Sequence, residues 1–294
     1  MACRASRRVD FLIILLALLV GAFAAGIAGS LLGIGGGVFL IPYMTLVLQI
    51  DIRVAIATSL IGVIATSSGA ASVYVRDHLT NLRLGMFLEV ATTAGAIAGA
   101  FTALLVDRNV LYVVFGLTVM VAASRMVGRE RAADPAAAAS PGRSRLVERL
   151  RLGSSYPEAV DRQQHAYGVA RPGAGFGISA LAGALSGLLG VGGGFIKVPA
   201  MNVVMGVPMK PSVATSNFMI GVTAAASAFI YYTRGLVDPS LAAMLMLGVF
   251  TGTRLGTRVM ARTRAQRLRA VFAVFLAGLG VFMILRTLLP GVNF

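Results

Sequence analysis

Leu31-Leu32-Gly33-Ile34-Gly35-Gly36-Gly37, followed by Pro42, occurs a second time as Leu188-Leu189-Gly190-Val191-Gly192-Gly193-Gly194, followed by Pro199. The offset is 157 residues, and it holds without a gap well beyond the glycines. Ala57-Thr58-Ser59 meets Ala214-Thr215-Ser216, Tyr74 meets Tyr231, and Gly95 and Gly99 meet Gly252 and Gly256. From Ala25 to Val75, 17 of 51 positions are identical to their counterparts. Such self-similarity at one fixed offset marks a duplicated structural unit.

Both copies lie in sequence too apolar for a water-soluble domain. Of the 294 residues 57% are hydrophobic and 13% charged, and the mean hydropathy is +0.84. Disorder, a disulfide scaffold and a coiled coil are excluded by the same figures and by the single Cys. From Phe11 to Ile50 the only ionisable side chain is Tyr43, and these 40 positions are longer than one crossing of a ~30 Å hydrocarbon core. Further apolar stretches run over 54–75, 84–106, 110–124, 172–207, 211–233, 239–259 and 270–289. In lipid each must pair its backbone groups internally, which predicts helices and an all-α integral membrane protein. The amino terminus, with Arg4, Arg7 and Arg8 before an apolar run, reads as a signal anchor or first span, since the second copy retains the equivalent element.

The net charge of +15 is a matter of topology. Nine arginines fall between Arg125 and Arg171 and five between Arg258 and Arg269, beside apolar stretches, as the positive-inside rule describes. No groove-reading motif accompanies them, so no nucleic-acid partner is expected. Residues 129–171, rich in Arg, Ala and Pro, read as a mobile cytoplasmic linker between a first transmembrane repeat, 1–128, and a second, 172–294. Each copy holds five apolar segments. If all five cross, the count is odd and the copies are inverted; if the segment after the glycines is re-entrant, four cross and the copies are parallel. The inverted form, which keeps the arginines from Arg258 to Arg269 inside, is the expectation: about 8–10 segments in two homologous halves with glycine-broken helices.

The chemistry to be expected sits at the repeated motifs. Three consecutive glycines and a following proline hold a helix poorly, and unwound backbone at membrane depth is tolerated only where it lines a cavity or is buried in protein. The N–H groups of Gly35, Gly36 and Gly37 and of Gly192, Gly193 and Gly194, each set opening a half-helix, are therefore candidate anion ligands. Thr58 and Ser59, with Thr215, Ser216 and the added Asn217, supply hydroxyl and amide donors suited to an oxyanion that must later leave. The alternative for these hydroxyls is a bond back to their own helix carbonyls. Lys197, standing where the first copy has Leu40, adds a charge beside the second cluster. Glu89, opposite Met246, is a candidate coupling carboxylate or a counter-charge for Lys197 or an arginine, with a place close to the headgroups as the equal alternative. Arg254 is expected to snorkel and His78 to be solvated. Gly95/Gly99 and Gly252/Gly256 have the spacing of close helix packing. A dinucleotide fingerprint fails at Val38 and Phe195, and no Gly-Lys-Ser/Thr follows. With no paired carboxylates or nucleophile constellation, an enzyme, a cofactor and a metal site are not expected.

At its glycine clusters the sequence resembles the TauE/SafE family of sulfite and organosulfonate permeases. The residues that carry the resemblance are Gly29 to Gly37 with Pro42, Ala57 to Ser59, Ser186 to Gly194 with Pro199, and Ala214 to Asn217. It covers both membrane halves and excludes the linker. It implies a multi-pass cell-membrane permease for small anions, with sulfite, sulfonates and thiosulfate as candidates. The long linker and Lys197 depart from the family pattern. The expectation is thus a secondary anion transporter in the lipid bilayer, working by alternating access. Its rival is a membrane scaffold whose Arg-rich linker binds a cytoplasmic protein.

Overall fold

The structure, a computed structural model, describes residues 2–32, 35–127, 145–157, 164–260, 277–278 and 280–282. Gly33, the first part of the linker and most of the last apolar segment lie outside the described residues.

The duplication is visible in the element bounds. The first copy comprises α1 (Ala2–Leu32), α2 (Gly37–Pro42) running directly into a π-helical turn (Tyr43–Val47), α3 (Ile52–Arg76), α4 (Leu82–Leu105) and α5 (Arg108–Val127). After α6 (Arg145–Leu150) and a hairpin of β1 (Ser154–Pro157) and β2 (Gln164–Tyr167), the second copy opens with α7 (Pro172–Leu189) and α8 (Gly194–Pro199). A π-helical turn (Ala200–Val204), α9 (Met209–Thr233) and α10 (Pro239–Met260) follow. Adding 157 to the bounds of α2, the first π turn and α3 yields those of α8, the second π turn and α9. Helices α3, α4, α7 and α9 are long and apolar enough to cross a membrane. Shorter apolar helical stretches cover Leu15–Ser30, Gly37–Val47, Arg108–Val121 and Gly194–Val204. The protein is a multi-pass helical membrane protein.

The helix breaks follow from backbone chemistry. Gly35 and Gly36 take φ of +84° and +75°, and Gly192 and Gly193 take +80° and +70°, a left-handed conformation that costs other residues roughly 1–2 kcal/mol. Pro42 and Pro199 then remove an N–H from the i→i−4 ladder, and each helix continues as a wider π turn. Asp51 caps α3 through the Arg53 N–H (2.9 Å), and Asn81 caps α4 through the Leu84 N–H (3.0 Å).

Packing crosses between the copies. Helix α1 lies on α10, α4 on α7, and α3 on α9 at the centre. Glycines let the backbones of the outer pairs approach. Gly248 meets the Leu19 carbonyl, Gly252 that of Phe23 and Gly256 that of Ile27; Gly95 meets the Ala180 carbonyl and Gly99 that of Ala184. In each pair the two residue numbers rise together, so α1 runs parallel to α10 and α4 to α7. Gly62 against Leu245 and Gly69 against Phe250 and Thr253 likewise make α3 parallel to α10. Within the first copy α3 and α4 run opposite ways: Val106, just beyond α4, accepts from Arg53 at the start of α3 (2.8 Å), while a short turn joins their other ends.

The linker differs from its expected mobility in its second part. Leu152, Tyr167 and Val169 are buried against Leu84, Leu88, Met201, Met205, Val207 and Met219. Asn81 Nδ2 donates to the Leu152 carbonyl (2.8 Å), and the Ala170 N–H to the Met205 carbonyl (2.9 Å). Three apolar side chains scattered through polar sequence suffice to dock this segment on the bundle. Its hairpin, paired Ser154 with Tyr167, supplies the only strands among the described residues.

Candidate functional site

The two glycine loops touch. Gly37 packs on the Gly190 carbonyl and on Val191, with no room for a Cβ. Gly35 faces Val63 and Ile220, Gly36 faces Ala25 and Thr66, and Gly193 faces Ala182 and Ser186. Val63 and Ile220 occupy the central turns of α3 and α9, so both breaks converge on the middle of the helix pair at the molecular centre.

The hydroxyl motifs separate into different settings. Ser59 Oγ lies 2.8 Å from the Ile56 carbonyl and 3.1 Å from that of Gly190, joining α3 to the second glycine loop. Thr215 Oγ1 accepts the Asn81 N–H (3.0 Å), which places it at the start of α4 and away from the loops. Thr58, Ser186 and Ser216 are fully buried with hydroxyls that have no hydrogen-bond partner. Asn217 Nδ2 donates to the Val213 carbonyl (3.1 Å), leaving Oδ1 unpaired, and its backbone carbonyl accepts from Ser67. Unpaired buried polar atoms cost about 1–3 kcal/mol each and call for a ligand, ion or water to complete them.

Lys197 and Glu89 are brought together, though 108 positions separate them. Lys197, on α8, is 1% exposed, and Glu89, on α4, 6%. Thr223 on α9 stands between them: its Oγ1 accepts from Lys197 Nζ at 2.9 Å and donates to Glu89 Oε1 at 2.7 Å. Thr93 donates to the same carboxylate oxygen (2.9 Å) and Thr92 to Oε2 (2.7 Å). Cation, hydroxyl and carboxylate thus form one chain across three helices. At the repeat offset the counterparts of Lys197, Thr223 and Glu89 are Leu40 and Thr66 in the first copy and Met246 in the second, and Thr66 bonds back to the Gly62 carbonyl (2.9 Å). Thr223, Thr92 and Thr93 escape a reading of the sequence for ionisable groups. The identity of Thr223 with Thr66 at the repeat offset is the signal that points to the first of them.

The remaining polar residues singled out lie elsewhere. Arg254 is exposed, its guanidinium 4.5 Å from the centre of the Phe250 ring. His78 is exposed in the turn after α3. Tyr74 and Tyr231 occupy equivalent places, donating to the Ser30 (3.3 Å) and Gly187 (2.9 Å) carbonyls, themselves equivalent.

Comparison with known proteins agrees with this architecture. A family model described as sulfite exporter TauE/SafE matches residues 18–283. A probable membrane transporter protein of Bacillus subtilis (strain 168), YunE, is 27% identical over 91% of this chain and 96% of its own length. A probable membrane transporter protein of Xylella fastidiosa (strain 9a5c) is 26% identical over 89% and 92%. The sulfite exporter TauE/SafE family protein 1 of Arabidopsis thaliana is 33% identical over 37% of this chain and 24% of its own. No solved structure matches the chain.

Proposed function

Since the chain belongs to the sulfite exporter TauE/SafE family and is a membrane transporter, we propose that it carries small anions, sulfite, sulfonates or related sulfur oxyanions, by alternating access between two inverted halves. Helix direction supports the inversion. Helix α1 runs with α10, α10 with α3, α3 against α4, and α4 with α7, so α1 runs opposite to α7, its counterpart in the second copy. Halves related in this way can exchange conformations about a shared centre, which opens that centre to either side in turn.

The observation that carries the anion reading is the convergence of both glycine loops on the centre of α3 and α9, with the unpaired Ser186 hydroxyl against Gly193. Backbone N–H groups at the starts of α2 and α8, the Thr58 and Ser216 hydroxyls and the Lys197 ammonium offer donors and positive potential with no acidic residue in either loop. Gly35, Gly36, Gly37, Gly192, Gly193 and Gly194 form the cradle of this proposal, Ser59 ties α3 to the second loop, and Asn217 presents a free amide oxygen for a hydrogen-bearing substrate group. The Arg-rich linker is placed in the cytoplasm by the same charge rule that orients the spans.

Sulfite flux into proteoliposomes tests the reading. The purified protein is expected to move sulfite, and Gly193→Leu and Lys197→Leu to abolish the flux while eluting as the unaltered protein does from a size-exclusion column. Undiminished flux in both variants sinks the site; no flux of any sulfur oxyanion sinks the substrate class.

A further inference from the structure

The site holds a carboxylate that an anion carrier has no evident reason to keep. Glu89 lies two hydrogen bonds from the cation assigned to the substrate, and its negative charge opposes any anion arriving at Lys197. The repeat counterparts of the two charges are Leu40, fully buried, and Met246, which is exposed, so the repeated scaffold itself requires neither charge. Lys197 belongs to the second copy and Glu89 to the first, each has an uncharged residue as its repeat counterpart, and the two meet through Thr223, so they belong to one device.

We propose that the device couples the anion to a proton: anion binding at Lys197 and protonation of Glu89 occur together, and one monovalent anion crosses with one proton. The inference rests on the anion-transport reading and names its coupling ion. With the site empty, Lys197 and Glu89 neutralise each other through Thr223. An anion at Lys197 then places two negative charges on one buried cation. Like charges in such surroundings strongly favour protonation of a carboxylate, and neutrality returns when Glu89 takes up a proton. By reciprocity, the protonated acid strengthens anion binding by the same factor.

The cage around Glu89 suits both of its states. Each polar side chain on it, Thr92, Thr93 and Thr223, is a hydroxyl, which donates to a carboxylate and can turn to accept from a carboxylic acid. An arginine or a backbone N–H in their place would hold the ionised form alone. Ionisable groups on neighbouring elements are few. Helix α7 has none; α9 has Lys210, Tyr231 and Tyr232, all near its ends; α8 has Lys197; and α4 itself adds Arg83 one and a half turns away. The docked segment contributes Tyr156, His165 and Tyr167, with exposed Glu148, Arg149 and Arg151, toward the Leu84 end of α4. Of these groups Lys197 is the one tied to Glu89 by hydrogen bonds.

The full-length protein in proteoliposomes containing a trapped pH dye decides the matter, with methanesulfonate as the probe because it stays a monovalent anion across the working pH. Inward methanesulfonate is expected to acidify the lumen by one proton per anion, and a valinomycin-set membrane potential to leave the rate unchanged. Glu89→Gln, which mimics the protonated acid, is expected to keep exchanging labelled methanesulfonate while losing all luminal acidification, and its net uptake becomes potential-driven. Glu89→Gln vesicles that acidify like the wild type overturn the proposal. So do wild-type vesicles that accumulate the anion without protons, an outcome that needs no variant to fold and leaves anion transport standing. Vesicles that take up neither methanesulfonate nor sulfite remove the anion reading and the coupling with it.

Discussion

Breaking the buried chain one member at a time, then removing it whole, measures how far Lys197 and Glu89 depend on each other. Glu89→Met leaves the Lys197 ammonium, 1% exposed, with its Thr223 bond and no counter-charge; removing one partner of a buried pair costs about 3–5 kcal/mol, and this variant belongs at the upper end. Lys197→Leu leaves a carboxylate that still accepts from Thr92, Thr93 and Thr223, three hydroxyls against the single one on Lys197, so its cost belongs near the lower figure of about 3 kcal/mol. The double variant installs the residues that stand at the two repeat counterparts, Leu40 and Met246. Replacing a buried ion pair by apolar residues of similar volume is often neutral or stabilising by about 1–4 kcal/mol. The double variant is therefore expected to be more stable than either single variant, with a shortfall from additivity of at least about 3 kcal/mol. Unfolding by SDS titration in detergent micelles, read by circular dichroism, supplies the cycle. Costs that add to within about 0.5 kcal/mol would falsify the linkage and return each residue to an independent role.

Other consequences follow from packing and from the glycine conformations. Gly183→Leu drives a side chain into the Thr92 carbonyl across the α4–α7 contact and is expected to lower the melting temperature in detergent sharply, whereas Gly177→Ala, with no neighbour within 4 Å, stays neutral or gains up to about 1 kcal/mol. Gly193→Ala meets both a φ of +70° and the Ala182 carbonyl and is expected to abolish flux; Gly206→Ala, with a similar φ of +68° and open space around it, is expected to keep it. Tyr231→Phe strands the Gly187 carbonyl and is expected to cost about 1–3 kcal/mol by the same SDS titration, with Tyr74→Phe, whose bond is longer, costing less. Leu152→Asp undocks the hairpin from Leu84 and Met205 and is expected to expose Arg149 and Arg151 to rapid tryptic cleavage that the unaltered protein resists.

Much of the fold is legible in the sequence because its determinants are local or periodic. The glycine runs announce breaks, since left-handed φ values admit few other residues, and the prolines after them explain the π turns. The 157-residue offset carries over into helix bounds and even into the paired tyrosine bonds. Two things resist such reading. Whether the halves share a direction depends on which helices cross between copies, a property of packing: Gly252 is as good a small residue against α1 as against any other helix. The docking of residues 145–157 and 164–171 depends on Leu152, Tyr167 and Val169, three apolar side chains too sparse to stand out from an Arg-rich stretch.

The polar centre was half visible for the same reason. Glycines and hydroxyls that obey the repeat are conspicuous, yet symmetry places Thr215 at the start of α4, hydrogen-bonded, while its counterpart Thr58 stays buried and unpaired. Equal sequence therefore does not bring equal chemistry: the Asn81 backbone N–H reaches Thr215, whereas the Thr58 hydroxyl meets no partner. The more telling residues are those that break the repeat. Lys197 replaces Leu40 and Glu89 replaces Met246, each costly alone at membrane depth, and the two departures meet through a threonine that the repeat keeps. The half of the pattern that repeats builds the scaffold, and the proposed proton coupling falls on the compensated pair of exceptions. A charge change at one of these positions without its partner is then expected to uncouple or unfold the protein, while the same change at Leu40 or Met246 adds an unpaired charge and only destabilises it.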